Sequence, residues 1–110
     1  MIDQTIKQIE VRIQSAESLP QDRRRELLDL LATLKAETSE LAKTHNEEAQ
    51  SILGFTQVAT HEATRAEQDT QLVKLASQGL RQSVEAFETS HPRLAQIVNH
   101  ISTTLSNSGI

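Results

Sequence analysis

Residues 31–60 read LATLKAETSELAKTHNEEAQSILGFTQVAT, and whether this stretch is one helix or two decides the shape of the protein. Leu27, Leu31, Leu34 and Leu41 lie on one seam, widened by Leu28 and Leu30. The same heptad spacing runs on through Thr38, His45, Glu48, Ile52, Phe55, Ala59, Glu62 and Ala66 without a shift or a Pro. Read as one helix from Pro20 to Ala66, it is about 70 Å long at 1.5 Å per residue, longer than a small domain is wide. The seam alone leaves open whether 44–68 continue that helix or fold back.

The apolar inventory bears on the same question. Between Leu34 and Leu72 the only large apolar side chains are Leu41, Ile52, Leu53, Phe55 and Val58. At roughly 1.5–3 kcal/mol per buried aliphatic side chain, they cannot offset the ordering of the whole segment at about 1.5 kcal/mol per residue. The expectation is therefore a middle that frays or is covered by another chain. The run AQSILGFTQVAT, 49–60, is uncharged and sits in this core-poor region. Leu41, Ile52, Phe55, Val58 and Ala59 form the candidate association face, with Leu53 and Gly54 beside it. The expected partner is a second copy, a dimer in the simplest case, with another helical protein as the second choice.

The flanking segments are helical by spacing. Ile2, Ile6, Ile9, Ile13 and Ala16 recur at four, three, four and three residues, one aliphatic stripe. Ser18-Leu19-Pro20-Gln21 reads as a stop and restart: Pro suits a first helical turn, and Ser18 with Gln21 has the spacing of a capping box. Leu72, Val73, Ala76, Leu80, Val84 and Phe87 make a third stripe, with Asp69 or Thr70 as N-cap and Gly79 weakening it modestly. Leu94, Ile97, Val98, Ile101 and Leu105 make the last, ending near Asn107-Ser108-Gly109. Between these two stripes, Ser90-His91-Pro92 is a helix break in which Ser90 or His91 caps and Pro92 starts the next helix.

Composition agrees. Leu, Ile, Val and Phe supply 28 of 110 residues, enough to fold, and three Gly, two Pro and no Tyr or Trp favour helix over strand. The fold expected is all-α in a single domain, 1–110: a helical hairpin with a long second helix, then two C-terminal helices broken at Ser90-His91-Pro92, with coiled-coil-like packing.

Little in the chain carries chemistry. There is no Cys, hence no thiol nucleophile and no thiolate metal site. No Gly-rich phosphate loop, G-x-S-x-G elbow or H-E-x-x-H motif occurs, so an enzyme is not expected. One Glu-x-x-His spacing exists, Glu88 to His91, but it runs into the break before Pro92, where the backbone leaves the α region. No metal and no cofactor are expected. A small regulatory bundle that binds a metal or ligand through His91, Glu88 or His45 is the alternative function. His45 and Glu48 on the extended seam have the character of register-setting polar residues, and His61 and His100 read as surface residues.

The net charge of −4 brings no general attraction to nucleic acid. Arg23-Arg24-Arg25, the one basic cluster, has Asp22, Glu26 and Asp29 around it and reads as a solvated ion-pair face. The N-terminal stripe is broken by Asp3, Lys7, Glu10 and Arg12, so it is no secretory h-region, and the uncharged run 94–110 is too short and polar to span a bilayer. No membrane span and a cytoplasmic location are expected.

Phe87-Glu88, Ser90-His91-Pro92, Leu94, Asn99 and the closing Gly109-Ile110, together with ILGFTQVATHEATR at 52–65, resemble a family of short bacterial proteins classed as a domain of unknown function. The resemblance implies a small bacterial helical protein and brings no activity, cofactor or catalytic residue with it. The function expected is a non-enzymatic oligomerisation or protein-interaction module.

Overall fold

The computed structural model describes residues 2–108. Five α-helices follow one another: α1 (Ile2–Ser15), α2 (Gln21–Ala42), α3 (Asn46–Ala63), α4 (Thr70–Gln82) and α5 (Pro92–Ser108), with a short 3-10 turn, Glu85–Phe87, before α5. The Gly109-Ile110 close lies outside the described residues.

The stretch 31–60 is two helices, so the continuous reading to Ala66 is corrected. The seam breaks at Lys43-Thr44-His45, where His45 takes φ −135°, ψ 63°. The last turn of α2 tightens as the Thr44 and His45 amides both donate to the Leu41 carbonyl, at 3.1 and 2.8 Å. Thr, His and Asn are weak helix formers, and no apolar residue between Ala42 and Ala49 holds a helix against the core here.

Folding back gives α2 its own partner. α2, α3, α4 and α5 run up and down in turn, and α5 closes the ring against α2. Arg93 meets Glu37 at 3.6 Å and the Thr104 hydroxyl donates to Glu26 at 3.0 Å, which sets α5 antiparallel to α2. α1 lies over the α2–α3 seam, parallel to α3: Gln57 donates to Gln8 and the Arg12 Nε donates to the Thr64 hydroxyl, both at 2.8 Å. Ile6, Ile9 and Ile13 are buried there as their spacing requires.

The fold-back also corrects the apolar inventory. The missing core is supplied by small residues: Ala49, Ala59 and Ala63 are buried beside Ile52 and Leu53, and so are Thr56, Thr60 and Thr64. Each threonine hydroxyl donates to the carbonyl four residues before it, at 2.7, 2.8 and 2.7 Å, as Thr38 does to Leu34. With its donor satisfied locally, a buried threonine presents mainly its methyl to the neighbouring helix. A seam of Ala and Thr therefore packs with few large side chains.

The α1–α2 turn is not held by a capping box. Pro20 takes the N-cap position of α2 and makes no side-chain cap bond. Arg24, read from sequence as part of a solvated cluster, instead reaches back across the turn. Its guanidinium donates to the carbonyls of Ile13 (3.3 Å), Ala16 (2.5 Å) and Leu19 (3.3 Å) and to Gln21 Oε1 (2.8 Å). The Ile13 and Ala16 carbonyls close the C-terminal end of α1, where the helix dipole favours a cation, and the Leu19 carbonyl lies in the turn beyond it. At α4 the expected cap is present: Asp69 accepts from the Gln71 and Leu72 amides at 2.9 and 3.4 Å.

Candidate interaction face

The five residues expected on an association face divide between core and surface. Leu41, Ile52 and Ala59 are fully buried in the chain's own core, which corrects their assignment: α2 and α3 pack on each other, so the seam they share faces inward. Phe55 and Val58 stay at the surface, 42% and 51% exposed, because they lie round α3 from that seam toward α4 and solvent.

Two leucines of α4 join them, Leu72 at 39% and Leu75 at 66% exposed. α4 carries two stripes. Val73, Ala76, Ser77 and Leu80 face the core, whereas Leu72, Leu75 and Gly79, spaced by three and four, turn toward α3 and outward. The sequence reading placed Leu72 on the buried stripe and did not single out Leu75. The doubled stripe was the available signal.

Gly79 sets the floor of this face. A Cβ at Gly79 would lie 2.8 and 2.9 Å from Cε1 and Cδ1 of Phe55, so the missing side chain is what lets the Phe55 ring lie down on α4. With α3 and α4 antiparallel and Phe55 level with Gly79, Val58 lies at the level of Leu75. The four side chains form one apolar strip along the α3–α4 groove. Gly54, by contrast, has open space where its Cβ would be. Gly54→Ala should stabilise by about 0.5–1 kcal/mol, the helix-interior difference between the two residues. Gly79→Ala should stay within about 1 kcal/mol of the parent, since the same gain is offset by displacing the ring from its rotamer. Urea denaturation of both variants checks the contrast.

The residues singled out for chemistry meet at one end of the bundle without converging on a common point. His45 precedes α3 and His91 precedes α5, and each ring packs edge-on against Phe87, with centroids 5.4 and 5.7 Å away. Each Nδ1 is bonded to the hydroxyl before it, Thr44 at 2.8 Å and Ser90 at 3.0 Å. The His91 carbonyl accepts from the Ala95 amide at 3.2 Å, which puts His91 at the N-cap position with Pro92 as the first helical residue. Glu88 and Glu48 are exposed. Among the described residues, no group of three or more His, Asp or Glu side chains is placed to hold a metal ion.

The remaining histidines sit beside carboxylates: His61 Nε2 lies 4.0 Å from Glu62 and His100 Nε2 3.3 Å from Glu26. Arg65 pairs with Glu62 at 2.8 Å, and that hydrogen bond, with the carboxylate's charge, raises the guanidinium pKa further above its ordinary value. Among the described residues no helix is long and apolar enough to cross a membrane.

No curated protein and no solved structure matches the chain. A family model does match, over residues 27–110, which takes in α2 from Leu27 onward and the other three helices of the ring and leaves α1 outside. The chain thus belongs to the family described as a domain of unknown function, DUF4404.

Proposed function

We propose that this protein is a non-enzymatic interaction module that works through the apolar strip of α3 and α4. The observation that carries this reading is the strip itself: Phe55, Val58, Leu72 and Leu75 are four of the five large apolar side chains left exposed among the described residues, and they lie together. Contiguous exposed apolar side chains rimmed by polar residues are a common mark of an interaction site. The strip also has the composition of an interface centre. Residues 49–60 carry no charge, and the outward side of α4 shows Gln71, Gln78 and Gln82 around its leucines.

Val11 supplies the internal control, being 54% exposed on α1 and alone. A photoreactive phenylalanine analogue placed at Val58 or Leu75 should form a protein adduct when irradiated in cells, whereas the same analogue at Val11 should not. Absence of any protein adduct at both strip positions would sink the proposal.

A further inference from the structure

We infer that α1 is a lid: hinged at residues 16–20, it opens as a unit while the ring of α2 to α5 stays folded, and the α2–α3 seat it uncovers takes an amphipathic helix of the α1 pattern. This seat lies apart from the α3–α4 strip. The ring closes without α1. Helix α2 packs on α3, α3 on α4, α4 on α5 and α5 on α2, so no pair of these neighbours needs α1 to bring it together. The part of the chain that the family model covers begins at Leu27, beyond α1.

Helix α1 is also sunk less deeply than its neighbour. It buries three residues of fourteen, all isoleucines, where α3 buries seven of eighteen. Clefts flank it on both sides, about 310 Å³ beside Gln8, Arg12 and Gln57 toward α3, and about 310 Å³ beside Gln14, Leu28 and Lys35 toward α2. Protein interiors are close-packed, so open space along both edges of a helix marks the low-stability part of a fold. The two ends are held unequally. At the turn, Arg24 of α2 grips the Ile13 and Ala16 carbonyls and fixes a pivot. Far from it, Asp3 meets Lys35 only at 4.0 Å, with both side chains at least half exposed, a contact that solvent screens. Between them, the bonds from Gln57 to Gln8 and from Arg12 to Thr64 lie at the edge of the seat, exposed and half-buried.

The seat specifies its occupant. Ile6, Ile9 and Ile13, spaced by three and four, fill a groove bordered by Leu28 and Leu31 of α2 and Leu53 of α3, the contact of an amphipathic helix laid in an apolar groove. A helix with branched aliphatic residues at that spacing, presented by another chain, competes with α1 for the seat.

Hydrogen exchange of the unmodified full-length chain, read residue by residue by NMR, tests the lid. The α1 amides should exchange roughly tenfold or more faster than the slowest amides of α2 and α5. Ile9→Asp should release α1 yet keep a cooperative urea transition for the ring. A fluorescent peptide of residues 2–16 should bind that variant roughly tenfold or more tightly than the parent, whose seat is filled. Equal protection of α1 and the ring overturns the lid, as does an Ile9→Asp chain that unfolds throughout. A folded Ile9→Asp ring that binds no peptide overturns the helix seat.

Discussion

Ile52→Asp should abolish the folded state, while Phe55→Asp, three residues along the same helix, should cost about 1–3 kcal/mol for the lost half-buried ring and leave the chain folded. Ile52 has no exposed surface, so an aspartate there has neither water nor a partner for its charge. An uncompensated buried carboxylate costs more than about 4 kcal/mol even after it takes up a proton, against about 5–15 kcal/mol for a whole domain of this size. Phe55 is 42% exposed, and a carboxylate at its position reaches solvent. Far-UV circular dichroism and urea denaturation of the two variants supply the comparison. The contrast also discriminates between folds. Were 20–66 one long helix with Ile52 and Phe55 on a shared seam, the two substitutions would act alike.

Arg24→Ala should cost about 2–4 kcal/mol, the largest effect expected of any charged residue in the chain. The guanidinium collects two carbonyls at the end of α1 and that of Leu19 in the turn after it, and its removal leaves all three without that donor in a partly buried turn. Arg24→Lys should recover only part of the loss, because an ammonium cannot span the Ile13, Ala16 and Leu19 carbonyls as a planar fork does. Arg25→Ala, one residue on and exposed, should change stability by less than about 0.5 kcal/mol. Denaturant midpoints for the three variants check the order. Equal effects of the Arg24 and Arg25 substitutions would return Arg24 to the solvated surface.

Much of the architecture was legible in the residue order. The stripes Ile2 to Ala16 and Leu94 to Leu105 are buried helices, Asp69 caps α4, and His91-Pro92 starts α5, although α4 ends at Gln82 and the rest of its expected stripe, Val84 and Phe87, lies in a turn and a 3-10 helix. Each of these rests on local chemistry: side-chain period, a cap within three residues, a Pro that cannot continue a helix. The candidate face was half legible. Of the five residues expected on an association face, Phe55 and Val58 are exposed, whereas Leu41, Ile52 and Ala59 are core, because a heptad seam does not say what covers it.

By itself, then, the sequence determined that this chain is helical and where most of the helices start. Only the tertiary structure decided that 44–68 turn back, that Ala and Thr serve as core, that Arg24 belongs to the α1 terminus, and that Leu72 and Leu75 stand beside Phe55 and Val58. The physical reason is common to all four. Helix propensity and periodicity act within a few residues, whereas the burial of a small side chain, the reach of an arginine across a turn and the outer side of a helix pair depend on which segments are brought together. In this chain a three-residue break, Lys43-Thr44-His45, makes that choice.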